Sequence, residues 1–273
     1  MIHTQFHAIP SLRLHRIAAI LLLAAAICSP AMAADAPKAE MSPIVTDRPD
    51  FTESVDTVPE HMVQVEGGYT FTQVNAHETS HSIGELLVRV ATGSRSELRI
   101  GVNSFGIANG ASGRERGLED LDLGVKLKVR DAVGMGFRRP AVSVIALTSL
   151  PTGTGAARGT ELQPTVKLCL AGSLSSRLDL NVNANYSYIA DSSGHYSQLT
   201  PTASLGYSMT DRLGGFVELY SLFPLGDRVA THYADTGLSY LLNNNTQVDV
   251  RVGGGLNSAA DDLFVGTGLA VRF

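Results

Sequence analysis

From residue 61 to the C-terminus, apolar and polar residues alternate with a period of two, and this alternation recurs in about twelve separate runs. In "VQVEGGYTF", Val63, Val65, Tyr69 and Phe71 share one face, while Gln64, Glu66 and Thr70 share the other. "LDLGVKLKVR" sets Leu121, Leu123, Val125, Leu127 and Val129 against Asp122, Lys126, Lys128 and Arg130. "LDLNVNANYSY" opposes Leu178, Leu180, Val182, Ala184, Tyr186 and Tyr188 to Asp179, Asn181, Asn183 and Asn185. The chain ends inside such a run, on Phe273, with Val265, Thr267, Leu269 and Val271 on the same face. Side chains alternate across a β-strand, so each run predicts a strand with one apolar and one polar face.

Such runs lie near residues 61–74, 83–92, 96–105, 118–130, 138–149, 162–171, 177–188, 197–209, 213–221, 230–242, 246–254 and 263–273. The connections between them sort by length. After the second, sixth, eighth and tenth come tight-turn sequences, "GSRS", "GSLSS", "TD" and "NNN". After the odd-numbered strands come longer Gly- or Ser-rich pieces such as "GIANGASGRERG" and "PTGTGAARGT", and "DAVGMGF" after the fourth is the one misfit. Beyond the N-terminal region no run approaches the 18 or more apolar residues of a spanning helix, which leaves a soluble β protein or a membrane barrel. Lipid offers backbone N–H and C=O groups no partners, so a sheet crosses it only by closing on itself. An even strand count with short turns at one end and long loops at the other is the pattern of an outer-membrane barrel. The expected fold is therefore all-β: a closed antiparallel transmembrane β-barrel of about twelve strands, residues 61–273, preceded by a short irregular segment. Tyr69, Phe71, Tyr186, Tyr188, Tyr207, Tyr240 and Phe273 are expected to form its aromatic girdles, because the chain has no Trp.

The first 33 residues have another character. Arg13 and Arg16, the apolar "IAAILLLAAAI" and the small-residue "AMA" at residues 31–33 predict a signal peptide cleaved after Ala33. Cys28 suggests lipidation, but Ile27 is too large for the residue before a lipidated cysteine. Past Ala33 only Cys169 remains, which excludes a disulfide-stapled secreted domain. Nineteen basic against 26 acidic residues there give no nucleic-acid footprint.

Residues 34–60 lie between signal and barrel. Their core, "PIVTDRPDFTESVDTVPE" at residues 43–60, contains Pro49, Pro59 and a dense mixture of charges that keep it out of a sheet. It is expected either to hang in the periplasm or to enter the barrel mouth as a plug. As a plug, Arg48 would pair with wall carboxylates, and Asp47, Asp50 and Glu53 with Lys126, Lys128 or Arg99.

"TDRPDFTES", then "VPEHMVQVEGGYTF", "LEDLDLGVKLKV", "LTSLPTG" and the closing "GTGLAVRF" resemble the transporter family named for the meta-pathway of phenol degradation. The resemblance runs over most of the chain and implies an outer-membrane barrel that moves aromatic or other small compounds. The final strand with Phe273 also resembles the signal read by the barrel-assembly machinery.

If the apolar faces meet outer-membrane lipid, the opposite faces line a lumen. The lining candidates are Glu66, Glu85, Arg89, Glu97, Arg99, Asp120, Asp122, Lys126, Lys128, Lys167, Asp179, Glu218, Asp235, Asp249 and Arg251. Charges of both signs there either select solutes or pair and fill the space. Twelve strands enclose a lumen between the side-chain-filled interior of eight and the open channel of sixteen.

Catalytic motifs are weak. "HETSH" at residues 77–81 has a zinc-protease spacing, but it is expected in a loop, and Leu87 stands where a third ligand belongs. "PTGTGAARGT" lacks the Lys of a phosphate loop. His195 and His232 would serve an outer-wall hydrolase only if paired closely with a Ser. The expected function is passive passage of small molecules across the outer membrane, without enzyme activity, metal or cofactor. A non-conducting structural barrel and a hydrolase are the alternatives, and neither the solute nor the oligomeric state is legible.

Overall fold

The computed structural model describes residues 41–102, 104–111, 113–159, 161–191 and 194–273, so the expected signal peptide lies outside the described residues. Fourteen strands form one antiparallel sheet: β1 (Val63–Asn75), β2 (Glu78–Gly93), β3 (Ser96–Val102), β4 (Phe105–Gly110), β5 (Gly113–Leu118), β6 (Leu121–Arg130), β7 (Ala141–Leu150), β8 (Gln163–Ser173), β9 (Leu178–Asp191), β10 (Gly194–Ser208), β11 (Leu213–Pro224), β12 (Thr231–Asn243), β13 (Thr246–Gly255) and β14 (Leu263–Arg272). Twelve of them make a ring in the order β1, β14 and down to β6, then β3 and β2, which pairs with β1 and closes the barrel. No described helix is long and apolar enough to cross a membrane, and the strands do the crossing.

The distribution of side chains is inverted relative to a water-soluble protein. Glu66, Arg89, Glu97 and Lys126 on the inner face are 0 % exposed, whereas Leu123, Leu127, Val217 and Leu219 on the outer face are 45, 52, 56 and 59 % exposed. Isolated ionised groups are costly to bury, and apolar belts of this extent are unstable in water. A hydrocarbon exterior and a polar lumen satisfy both. Tyr207, Tyr240 and Phe273 stand exposed towards the terminal end of the barrel, where the chain enters β1 and leaves β14. Tyr186 and Tyr188 stand exposed towards the distal end, and Tyr69 near the middle of β1.

Three expectations need correction. "GIANGASGRERG" is a hairpin, β4 and β5, with Ile107 opposite Arg116, instead of a loop. It extends the wall, because β2 pairs with β3 through Leu86–Gly93 and with β4 through Thr79–Ile83. "HETSH" is also strand, since β2 starts at Glu78. Glycine and charge content suggested loops, but cross-strand pairing overrides such propensities. Among the described residues the connection after β1 is short, β10 starts at Gly194 soon after β9 ends at Asp191, and residues 151–159, 225–230 and 256–262 form long distal loops.

Candidate functional site: the occupied lumen

Residues 42–62 enter the lumen from the terminal end, reach a tip at Arg48–Phe51 and return to β1. At the entrance, Arg272 donates to Ser42 O (2.6 Å), and the Ile44 N–H donates to Asn244 O (2.8 Å) in the β12–β13 turn. Gln64 holds Val45 O (2.9 Å), and Gln247 donates to the Thr46 hydroxyl (2.8 Å). The prolines and charges that exclude this stretch from the sheet leave its backbone N–H groups free for wall carboxylates. Glu66 accepts from Asp47 N–H (3.0 Å), Glu97 from Val58 N–H (2.8 Å), and Glu218 from the N–H groups of Phe51 and Thr52 (both 2.7 Å).

One side of the segment, facing β2, β3, β6 and β8, is held by ion pairs. Asp47 meets Arg99 (2.6 Å), Lys126 (3.2 Å) and Arg89 (3.4 Å), and accepts from Ser54 Oγ (2.7 Å). Burial pushes the Asp47 carboxyl up, but Arg89, Lys126 and Arg99 outweigh it and hold it well below the usual carboxylate range. Glu53 pairs with Arg99 (2.6 Å) and with Lys167, and Lys128 joins Asp56 (2.8 Å). Arg89 also binds Glu66 and Glu97 (both 2.9 Å). Behind these charges Val55 packs against Ala141, Ile145 and Cys169, a small apolar cluster inside the barrel. Asn183, its amide oriented by its partners, clasps the Glu53 main chain (2.7 and 3.2 Å).

At the tip, Arg48 reaches Glu85 (2.7 Å), Asp249 (3.4 Å) and Thr267 O (3.2 Å). Wall glycines make room for it: a Cβ on Gly268 would lie 2.2 Å from Arg48 Nε, and one on Gly68 2.3 Å from an Nη. Phe51 stacks on Tyr220 (centroids 4.5 Å), which stacks on Tyr233 (4.9 Å), which tilts towards Phe264 (6.4 Å). Asp50 departs from expectation. It faces no Lys or Arg of the expected set, but the Glu218 carboxylate and the Ser204 hydroxyl, and burial followed by Glu218 pushes it up to about 8.

Glu66, Glu85, Arg89, Glu97, Arg99, Lys126, Lys128, Lys167, Glu218 and Asp249 all touch residues 45–58. Asp122 and Asp179 line cavities that the segment also borders. Arg251 instead donates to Thr70 (3.3 Å) beside the Phe264 ring, and Asp120 caps the 151–162 loop through the N–H groups of Gly153 (2.7 Å) and Gly159 (2.9 Å). Gln64 and Asn183, expected only on polar faces, also hold the segment, as do Thr202 and the inward aromatics Tyr220, Tyr233 and Phe264, which the lining set did not contain. Their parity, shared with Glu218, Asp235 and Gly266, was the available signal.

A cavity of about 480 Å³ lies between the segment and β7–β9, lined by Asp50, Thr52, Ser54, Lys128, Asp179 and Asn181 among others. A second, about 260 Å³, is lined by Glu53, Glu85, Arg99, Asp122 and Lys167. The strip Thr52–Ser54 borders both.

The motif histidines lie on the outer wall. His81 bonds the Tyr69 hydroxyl (2.8 Å), and His195 bonds Glu161 (2.8 Å) and stacks on Tyr188. His232 Nδ1 bonds Ser221 Oγ (2.8 Å), its register partner across β11–β12. His77 and His81 sit at and beyond the start of a strand, where a spacing of four spans about 13 Å, too far for one ion.

No curated protein matches this chain. Among solved structures it is similar to the COG4313 outer membrane channel from Pseudomonas putida F1, at 15 % identity over 78 % of this chain and 94 % of that one, with a TM-score of 0.59. It is also similar to the NanC porin, at 11 % identity over 77 % and 98 %, with a TM-score of 0.50. At these identities the likeness establishes the fold. Residues 46–273 match the family described as "Putative MetA-pathway of phenol degradation", and the chain belongs to that family.

Proposed function

We propose that this protein is an outer-membrane channel for passive passage of small solutes, with residues 42–60 as a built-in obstruction. The terminal end faces the periplasm, as the chain ends of outer-membrane barrels do. The observation that carries this reading is the pair of polar cavities beside the inner segment, one lined by Thr52 and Ser54 and the other by Glu53, a stretch that side chains hold and no strand pairing fixes. A barrel built solely as a scaffold has no need of polar chambers beside such a segment. The stacked rings of Phe51, Tyr220 and Tyr233, together with the family description, favour aromatic solutes. No catalytic step is assigned.

Liposome swelling tests the reading. Proteoliposomes are expected to admit a bilayer-impermeant aromatic solute such as phenyl glucoside and small polyols and to exclude trisaccharides; swelling no faster than in empty vesicles for every solute, with residues 42–60 present or deleted, contradicts it.

The Ser221–His232 pair is the observation that favours a second reading, hydrolysis of lipid at the outer wall. In a working triad the serine bonds His Nε2, and a carboxylate orients Nδ1. Here Nδ1 takes the serine, so the pair has the form of a cross-strand hydrogen bond. Fatty-acid release from phospholipid vesicles, lost on Ser221→Ala, would establish the hydrolase instead; none is expected.

A further inference from the structure

The two sides of the inner segment are attached by different chemistry. On the β2, β3, β6 and β8 side every carboxylate of the segment has a cation: Asp47, Glu53 and Asp56 meet Arg99, Lys126, Lys167 or Lys128. On the β10–β12 side three carboxyl groups meet one another. Glu218 and Asp235 are directly opposed in register, both inward and 2 and 5 % exposed. Both Asp235 oxygens lack any hydrogen-bond donor, although the side chain is buried. Glu218 is committed to the tip, accepting from Phe51 N–H, Thr52 N–H and the Thr52 hydroxyl. Asp50, on the tip, lies against Glu218 and Ser204.

One cation stands near the cluster, Arg251, whose charge reaches Asp235 and whose buried Nε has no hydrogen-bond partner. Arg251 on β13 donates to Thr70, and Arg48 is engaged by Glu85 and Asp249. No described ion pair joins either to Asp50, Glu218 or Asp235. β10 contributes the hydroxyls of Thr202 and Ser204, β9 adds Asp179 and Asn181 across the larger cavity, and Asp47 adds further negative charge from the segment itself. The Phe51, Tyr220 and Tyr233 stack flanks the cluster. Like charges packed together in a buried site resist ionising at the same time, and a carboxyl that keeps its proton becomes the donor that an orphaned Asp235 oxygen lacks.

We propose that Asp50, Glu218 and Asp235 form a proton-operated latch, in which shared protons hold the tip of the inner segment on β11–β12, and loss of those protons frees the tip while the ion-paired side stays docked. The larger cavity, which Asp50 lines, gives the proton its route. The latch deepens the proposed channel reading, on which its electrical readout rests.

The sign follows from linkage. Held, Asp50 is pushed up to about 8; released into water it returns to the ordinary value of 3.8. The held tip therefore binds the proton more tightly, so the latch is strongest at pH below the released value and weakens as the pH rises through the interval. Across it, the ratio of released to held tips rises by up to about tenfold per pH unit and levels off above the held value.

The experiment uses the full-length mature barrel with para-fluorophenylalanine at Phe51, followed by ¹⁹F spectra and by single-channel currents from pH 5 to 9. A stacked-ring signal that gives way to a free-ring signal as the pH rises, with open probability rising in parallel, is expected. Asp50→Asn and Asp235→Asn should each flatten both profiles towards the low-pH form. A wild-type ¹⁹F profile that does not change with pH, or an Asp50→Asn profile identical to wild type, overturns the latch. If the ¹⁹F signal responds and no current flows at any pH, the latch stands and the channel reading falls; if current flows and the ¹⁹F signal is fixed, the reverse holds.

Discussion

Asp47 gathers Arg89, Arg99, Lys126 and Ser54 around one carboxylate, so three wall cations hold the inner segment through a single side chain. Breaking one partner of a buried charge cluster costs about 3–5 kcal/mol, because the remaining charges stay buried without compensation. Asp47→Asn should therefore undock the segment without unfolding the wall. The expected result is protease cleavage within residues 42–60 in a variant that keeps its heat-modifiable migration on gels; resistance equal to wild type would show that the node is dispensable. Arg48 gives a second residue-scale test. Because a Cβ on Gly268 meets the Arg48 guanidinium at 2.2 Å, Gly268→Ala and Arg48→Ala should remove the same contacts. Their effects on segment docking should then be non-additive, the double variant being no worse than the more damaging single variant. The sequence narrows the partners of Asp47 and Glu53 to a set that includes Arg99 and Lys126, and those of Arg48 to wall carboxylates, but not to the individual pairs. Period-two parity assigns Arg99 and Lys126 to a face, but which carboxylate crosses the lumen to meet them depends on how a non-strand segment folds. Asp50 shows the limit: its charge suggested a cation, and it lies among carboxylates.

At the scale of elements, the twelve wall strands were legible because alternation is imposed by the pleat and by the contrast between lipid and lumen. The β4–β5 hairpin was not, because Gly106, Gly110, Gly113 and Gly117 imitate loop composition, and its pairing is set by the distal half of β2. β5 in turn seats the 151–162 loop: Thr154 N–H donates to Leu118 O (2.7 Å), and the Thr154 hydroxyl accepts from Leu118 N–H (2.9 Å). A Cβ on Gly117 would sit 1.9 Å from Thr154 O. Gly117→Val should therefore lift this loop and speed trypsin cleavage after the exposed Arg158, while leaving barrel assembly intact. A variant as trypsin-resistant at Arg158 as wild type would refute the role given to that contact.

At the scale of the whole molecule, the protein is inside-out by the standards of a soluble fold: its ionisable groups are buried around a segment of its own chain, and its Leu and Val residues face outward. Arg89, Arg99, Lys126, Lys128 and Lys167 are each engaged with that segment or with a neighbouring carboxylate, so this side of the lumen is occupied by specific pairs with the two cavities beside them. Removing the segment leaves those charges lining a widened passage. Single-channel current through the refolded barrel, with and without residues 42–60, tests this most directly. The shortened protein is expected to conduct several-fold more than the intact chain and to lose its brief closures; equal currents from the two would contradict the assignment of that segment as the obstruction in the pore.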